Sequence, residues 1–332
     1  MRKLALTITC TGCVYSAFGV FCRWLQNMTA FEENGLYKTG SLWGAVLALL
    51  CIAAAATLFG FTLYFRKNLG LASAPDMGVA LAGRTVLHRA VLALVTLVMA
   101  AGSGLLLFTA SDAEAPAGMD FTGLLRVLAL LGLLAAAGFA GITARTGEET
   151  PEGSPRQAGF CLASALPIVF CCFWLIVSYR QDAITSVVWS YAPEILAIAC
   201  SLLAFYFVAG YAYGRPRPFS ALFFCEMGAV MCFVTLPDER LIAMQLMFAG
   251  MAGMQMYLAW LIVSNMRRKE DILSRFPNAQ ASDDIDDELP PPDPEDEFEP
   301  MGEEGQGDEA SFVELPEEYL GEGTAKNPED EK

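Results

Sequence analysis

Histidine is almost missing from this sequence: His88 is the single one in 332 residues. That excludes His-x-x-x-His zinc sites and bis-histidine haem ligation within one chain. It also removes the usual base from any nucleophile. Gly102-Ser103-Gly104 is similar to the serine motif of membrane proteases, but the position two before the serine is Ala101, and His88 is about four helical turns away. Glu148-Glu149 lacks the later arginine and histidines of membrane prenyl-endopeptidases. Cys10-x-x-Cys13 has redox spacing but sits in an apolar helix with no βαβ context. No catalytic motif, metal set or cofactor is expected, and the chain does not read as an enzyme.

Other scarcities narrow the class further. All ten cysteines lie in or beside apolar runs, so no disulfide framework is expected and the thiols read as small hydrophobes. No loop concentrates enough Lys and Arg to neutralise several phosphates, which argues against nucleic-acid binding. Polar connections between the apolar runs are too short for a soluble domain.

What is present is apolar: 55% of residues are hydrophobic, in runs of about 18 or more, the length that crosses a bilayer. The runs predict spans at 4–22, 41–65, 87–109, 121–144, 157–179, 190–214, 218–236 and 240–265. The expected fold is therefore an all-α, polytopic integral membrane bundle of about eight helices over residues 1–275, with the lipid bilayer as its first partner. Trp24, Trp43, Trp174, Trp189 and Tyr191 are placed near one boundary, as an aromatic belt. Met1-Arg2-Lys3 before an apolar stretch reads as a signal anchor kept as the first span. Asn27-Met28-Thr29 matches a glycosylation sequon but lies very near the membrane.

Basic residues set the orientation. Fourteen Arg and Lys fall at one set of span ends, among them Arg2, Lys3, Arg66, Lys67, Arg89 and Arg215; the opposite set holds Arg23, Lys38, Arg180 and Arg240. The positive-inside rule puts both termini in the cytoplasm of a multi-pass protein of the cell membrane. Residues 276–332 are different: 21 acids stand against two lysines, with Pro290-Pro291-Pro292 among them. That stretch reads as a disordered acidic cytoplasmic tail. Within it Phe312, Leu315 and Tyr319 have the spacing of one helical face, a candidate docking motif for a cytosolic protein. No feature of the sequence sets an oligomeric state.

A shift of 149 residues superposes Phe21 on Phe170, Cys51 on Cys200, Tyr64 on Tyr213 and Arg66 on Arg215. Ala137-Gly138-Phe139-Ala140-Gly141 likewise resembles Ala249-Gly250-Met251-Ala252-Gly253. These matches suggest a four-plus-four repeat with halves 1–145 and 157–266, related by an axis along the membrane normal.

Five polar residues inside spans are the candidates for function. Glu226, in the middle of Phe223-Phe224-Cys225-Glu226-Met227, costs several kcal/mol there unless paired, protonated or hydrated. It reads either as a proton- or cation-handling group or as packing glue. Arg126 either snorkels to the interface or pairs with Glu194 or Glu226. Glu194, after Pro193, can also serve as an acid in a first helical turn. Gln245 and Gln255 read as interhelical hydrogen-bonders. Two functions follow from different classes: a small-solute or ion transporter or channel-like protein with its path between the halves near Glu226, or a non-catalytic membrane scaffold or sensor whose tail recruits a partner.

Overall fold

A computed structural model describes residues 2–32, 36–38, 40–69, 77–83, 85–112, 121–142, 154–182 and 187–266. The acidic stretch with Phe312, Leu315 and Tyr319, and Glu148-Glu149, lie outside the described residues. Long helices dominate: α1 (Arg2–Thr29), α2 (Trp43–Leu69), α4 (Val86–Thr109), α5 (Thr122–Ile142), α6 (Pro155–Asp182), α7 (Val188–Ala212) and α9 (Ile242–Asn265). These seven are long and apolar enough to cross a membrane. Between them come the single turn α3 (Met77–Ala80) and the 17-residue apolar helix α8 (Pro218–Val234). No strand occurs among the described residues; one antiparallel bridge joins Phe31 to Tyr37. A bilayer leaves backbone groups no water to bond, so helices are the form these runs must take.

Local signals set the helix ends. Thr85 caps α4 by accepting the His88 amide at 3.3 Å. Pro218 begins α8, where its missing N–H costs nothing. Gly214 takes a positive φ of 67° after α7, and Arg215 N–H closes back on Gly210 O at 2.8 Å. The first span is longer than expected, and Thr11 within it bonds back along the helix, Oγ1 to Thr7 O at 2.9 Å.

Neighbouring helices from α4 to α9 pack in chain order, and α9 returns to α4, closing a ring of six. The α1–α2 hairpin packs outside it on α8, with α1 also touching α9. The most apolar stretch of α9 is 72% buried against 22% for α2, which makes α9 a central element and α2 a peripheral one. Lipid supplies no hydrophobic drive between helices, so close approach depends on small residues. Both Ala-Gly-x-Ala-Gly steps serve this purpose. Gly250 and Gly253 press on Met99 and Val95 of α4; Gly138 and Gly141 press on Ala163 of α6.

Large side chains fill the ring. Trp174 of α6 meets Phe248 of α9 across it at 4.4 Å between ring centroids, and Phe139 of α5 meets Phe205 of α7 at 5.4 Å. All four are fully buried. Trp174 thus corrects the aromatic-belt assignment, because the rotation of α6 turns its indole inward. The two halves also differ in neighbours. A four-plus-four repeat makes α2–α4 the counterpart of α7–α8; the second pair packs closely, whereas α2 packs on α1 and α8.

Candidate functional site

Polar groups gather at two levels of the bundle. The first lies where α1 ends and α7 and α9 begin. Arg23, 2% exposed, donates from Nε to Asp238 Oδ1 at 2.6 Å and from an Nη to Gln26 Oε1 and Trp189 O, both at 2.9 Å. Asn27 Nδ2 donates to Asp238 Oδ1 and Pro237 O, each at 3.1 Å. Arg240 bridges Asp238 Oδ2 at 3.5 Å and Glu194 Oε2, while Ser178 donates to Glu194 Oε1 at 2.7 Å. Two cations and two anions therefore neutralise one another at the end of the bundle opposite the basic residues. Charge pairs taken from water need this degree of mutual bonding to persist.

This cluster bears on two expectations. Glu194 pairs with Arg240, not with Arg126, and as the seventh residue of α7 it is past the first turn, so the macrodipole reading fails. Arg126 is exposed on α5 and makes no ion pair or hydrogen bond among the described residues, which fits snorkelling. Gln245 departs from the interhelical expectation: near the start of α9 it donates to Asp238 O, in the connection before its own helix, at 3.0 Å. The Asn27 amide is engaged inside the cluster, which argues against its use as a glycosylation acceptor. Arg23, Asp238, Arg240, Asn27 and Ser178 were not singled out from sequence as a group. The available signal was an arginine inside Phe21-Cys22-Arg23-Trp24, matched by three charges in the short connection Pro237-Asp238-Glu239-Arg240.

Gln255, fully buried, donates from Nε2 to Ser201 Oγ at 2.7 Å, and Ser201 passes its own proton to Ala197 O at 2.7 Å. This ties α9 to α7 across Gly228 of α8, where the Gln255 amide occupies the space a side chain would take. It is an interhelical clasp, as expected of a glutamine in lipid.

Glu226 stands apart. It is 0% exposed and faces the bundle, and neither carboxyl oxygen has a hydrogen-bond partner among the described residues. Its carboxyl rests on Gly12 of α1, so close that a methyl there would overlap Oε2. The Thr9 hydroxyl lies beside it without closing a hydrogen bond. Glycine at position 12 is what gives the carboxyl room, one turn from Thr9. Glu226 thus lies at the contact of α8 with α1.

Thr9, beside this carboxyl, and Met256, whose methyl also approaches Gly12, line a groove of about 780 Å³. Its walls are Thr9 on one side, Thr85, Leu87, His88 and Val91 of α4 on the other, with Met256, Tyr257 and Trp260 of α9 between. Asn265 donates to Ala80 O at 2.9 Å and Ala82 O at 3.2 Å, fastening the residues after α3 over one end. His88 leans on Tyr257 at 5.9 Å between ring centroids. Tertiary packing alone assembles this groove, because its walls come from three separate parts of the chain. Among the described residues no group of three His, Cys, Asp or Glu side chains could hold a metal ion. No protein-family model, curated protein or solved structure matches the chain.

Proposed function

We propose that the protein is a transporter of small solutes in the cell membrane, with Glu226 as the group that takes up a proton or cation during the cycle. The observation that carries this reading is the fully buried carboxyl, with two oxygens unpartnered among the described residues, beside a groove. Inside a bilayer such a group is costly and is commonly part of an ion or proton path. The fourteen-to-four distribution of basic residues puts both termini and the groove end of the bundle in the cytoplasm. In this reading α8 is an eighth crossing; at about 25 Å it needs only modest local thinning of the bilayer. The charge cluster of Arg23, Asp238, Arg240 and Glu194 then closes the outer side while the groove is open on the inner side. The filled ring supports gating at the α1–α8 contact and not through the ring centre.

Everted vesicles from cells expressing the chain, acidified inside by respiration and reported by a quenched acridine dye, test the proposal. Solutes are added one at a time, and a solute exchanged for protons restores fluorescence. At least one solute should do so with the native chain and fail with Glu226→Gln at equal protein level. A native chain that answers no solute, or a Gln variant that answers like the native chain, refutes the reading.

A further inference from the structure

We infer that the groove beside Glu226 binds a monovalent lipophilic organic cation, drawn from the cytoplasmic leaflet. The inference deepens the transporter reading and rests on it for the role of Glu226. Four observations converge. The groove, at about 780 Å³, has the capacity of a small-molecule pocket, and its floor is aromatic and apolar: Tyr257, Trp260 and Met256 between Leu87 and Val91. Among the described residues, no Lys, Arg, Asp or Glu lines it. Behind its Thr9 wall lies the Glu226 carboxyl, fully buried and unpartnered among the described residues. The two walls, α1 and α4, do not pack closely on each other, and Leu87 at the α4 lip is 72% exposed, so the groove is open at its side to lipid.

Each part of such a ligand has a place. Its apolar body lies along α9, where the Trp260 and Tyr257 rings offer negative faces to a cation. Its charge faces Thr9, whose buried hydroxyl also has no hydrogen-bond partner among the described residues, and beyond Thr9 the carboxyl. The Met256 methyl reaches within 3.8 Å of where a Gly12 Cβ would stand, on the glycine that the carboxyl rests against, and an unbranched thioether moves aside at little cost. A neutral lipid would fill the groove but leave Glu226 and Thr9 as unpartnered as before, at the cost that buried polar groups carry. His88, on the groove wall itself, has its ring tilted against that of Tyr257.

The test uses two ions of one shape and opposite sign, tetraphenylphosphonium and tetraphenylborate, with the full chain in nanodiscs of neutral lipid. Equilibrium dialysis should show saturable phosphonium binding at least about tenfold tighter than borate binding. Glu226→Gln should remove most of that preference, Glu226→Asp should keep it, and Trp260→Ala should weaken both ions. Equal affinity of the native chain for the two ions overturns the inference without any variant. Undiminished preference in a folded Glu226→Gln chain overturns it too. Glu226-dependent exchange of a solute that is not a monocation would sink the ligand class and leave the transporter reading standing. Phosphonium binding that depends on Glu226, without any vesicle exchange, would support the groove and remove that reading.

Discussion

Replacing Asp238 by alanine probes what holds the outer end of the bundle together. Asp238 Oδ1 accepts the Arg23 Nε bond at 2.6 Å and the Asn27 bond at 3.1 Å, and its loss leaves a guanidinium only 2% exposed without a carboxylate. Breaking one side of a buried pair costs about 3–5 kcal/mol, chiefly the burial of an unpaired charge. Arg23 keeps Gln26 Oε1, Trp189 O and Ser190 O as acceptors, so we expect the low end, about 3 kcal/mol. Removing both charges should cost less than removing one: Arg23→Met with Asp238→Leu is expected to recover more than half of the loss, since no unpaired charge remains. Glu194→Gln is a graded control. The Arg240 side chain is 15% exposed and can turn toward water, so about 1–2 kcal/mol is expected. Reversible unfolding by SDS in mixed micelles measures the native chain, these variants and the two singles Arg23→Met and Asp238→Leu. A loss under about 1 kcal/mol for Asp238→Ala, or a double variant as weak as the sum of its singles, would refute the argument.

Two further outcomes are expected. Gly250→Leu should destabilise the bundle in the same assay by at least about 2 kcal/mol, because its Cβ would lie 2.9 Å from Met99 Cβ and 3.0 Å from Met99 Cα and N, where backbone cannot yield; an unchanged midpoint would show that α4 and α9 are not in this contact. Reporter fusions at Lys332 and within 111–120 should give cytoplasmic and external signals, and an external signal at Lys332 would overturn the orientation and the eight-crossing topology.

Local chemistry made much of the helix framework legible in the chain itself. A bilayer-length apolar run has to be helical wherever it packs, so α2, α4, α5, α6, α7 and α9 lie within a few residues of the runs that announce them. Glu226 was conspicuous for the same reason, since one carboxylate among Phe, Cys and Met is costly whatever surrounds it. The neighbours of each helix are another matter. Arg23 and Asp238 are 215 residues apart, and nothing in the apolar periodicity says that α1 stands beside the α8–α9 connection. Arg126 and Glu194 looked equally able to pair; the rotation of α5 turned one outward, and Arg240 reached the other. The indole of Trp174 points into the ring for a like reason. Burial and length are properties of a segment, so the sequence alone decided which segments are helices. Pairing, facing and the groove beside Thr9 depend on which segments meet, and that was decided by close packing at Gly12, Gly138 and Gly250 in the folded chain.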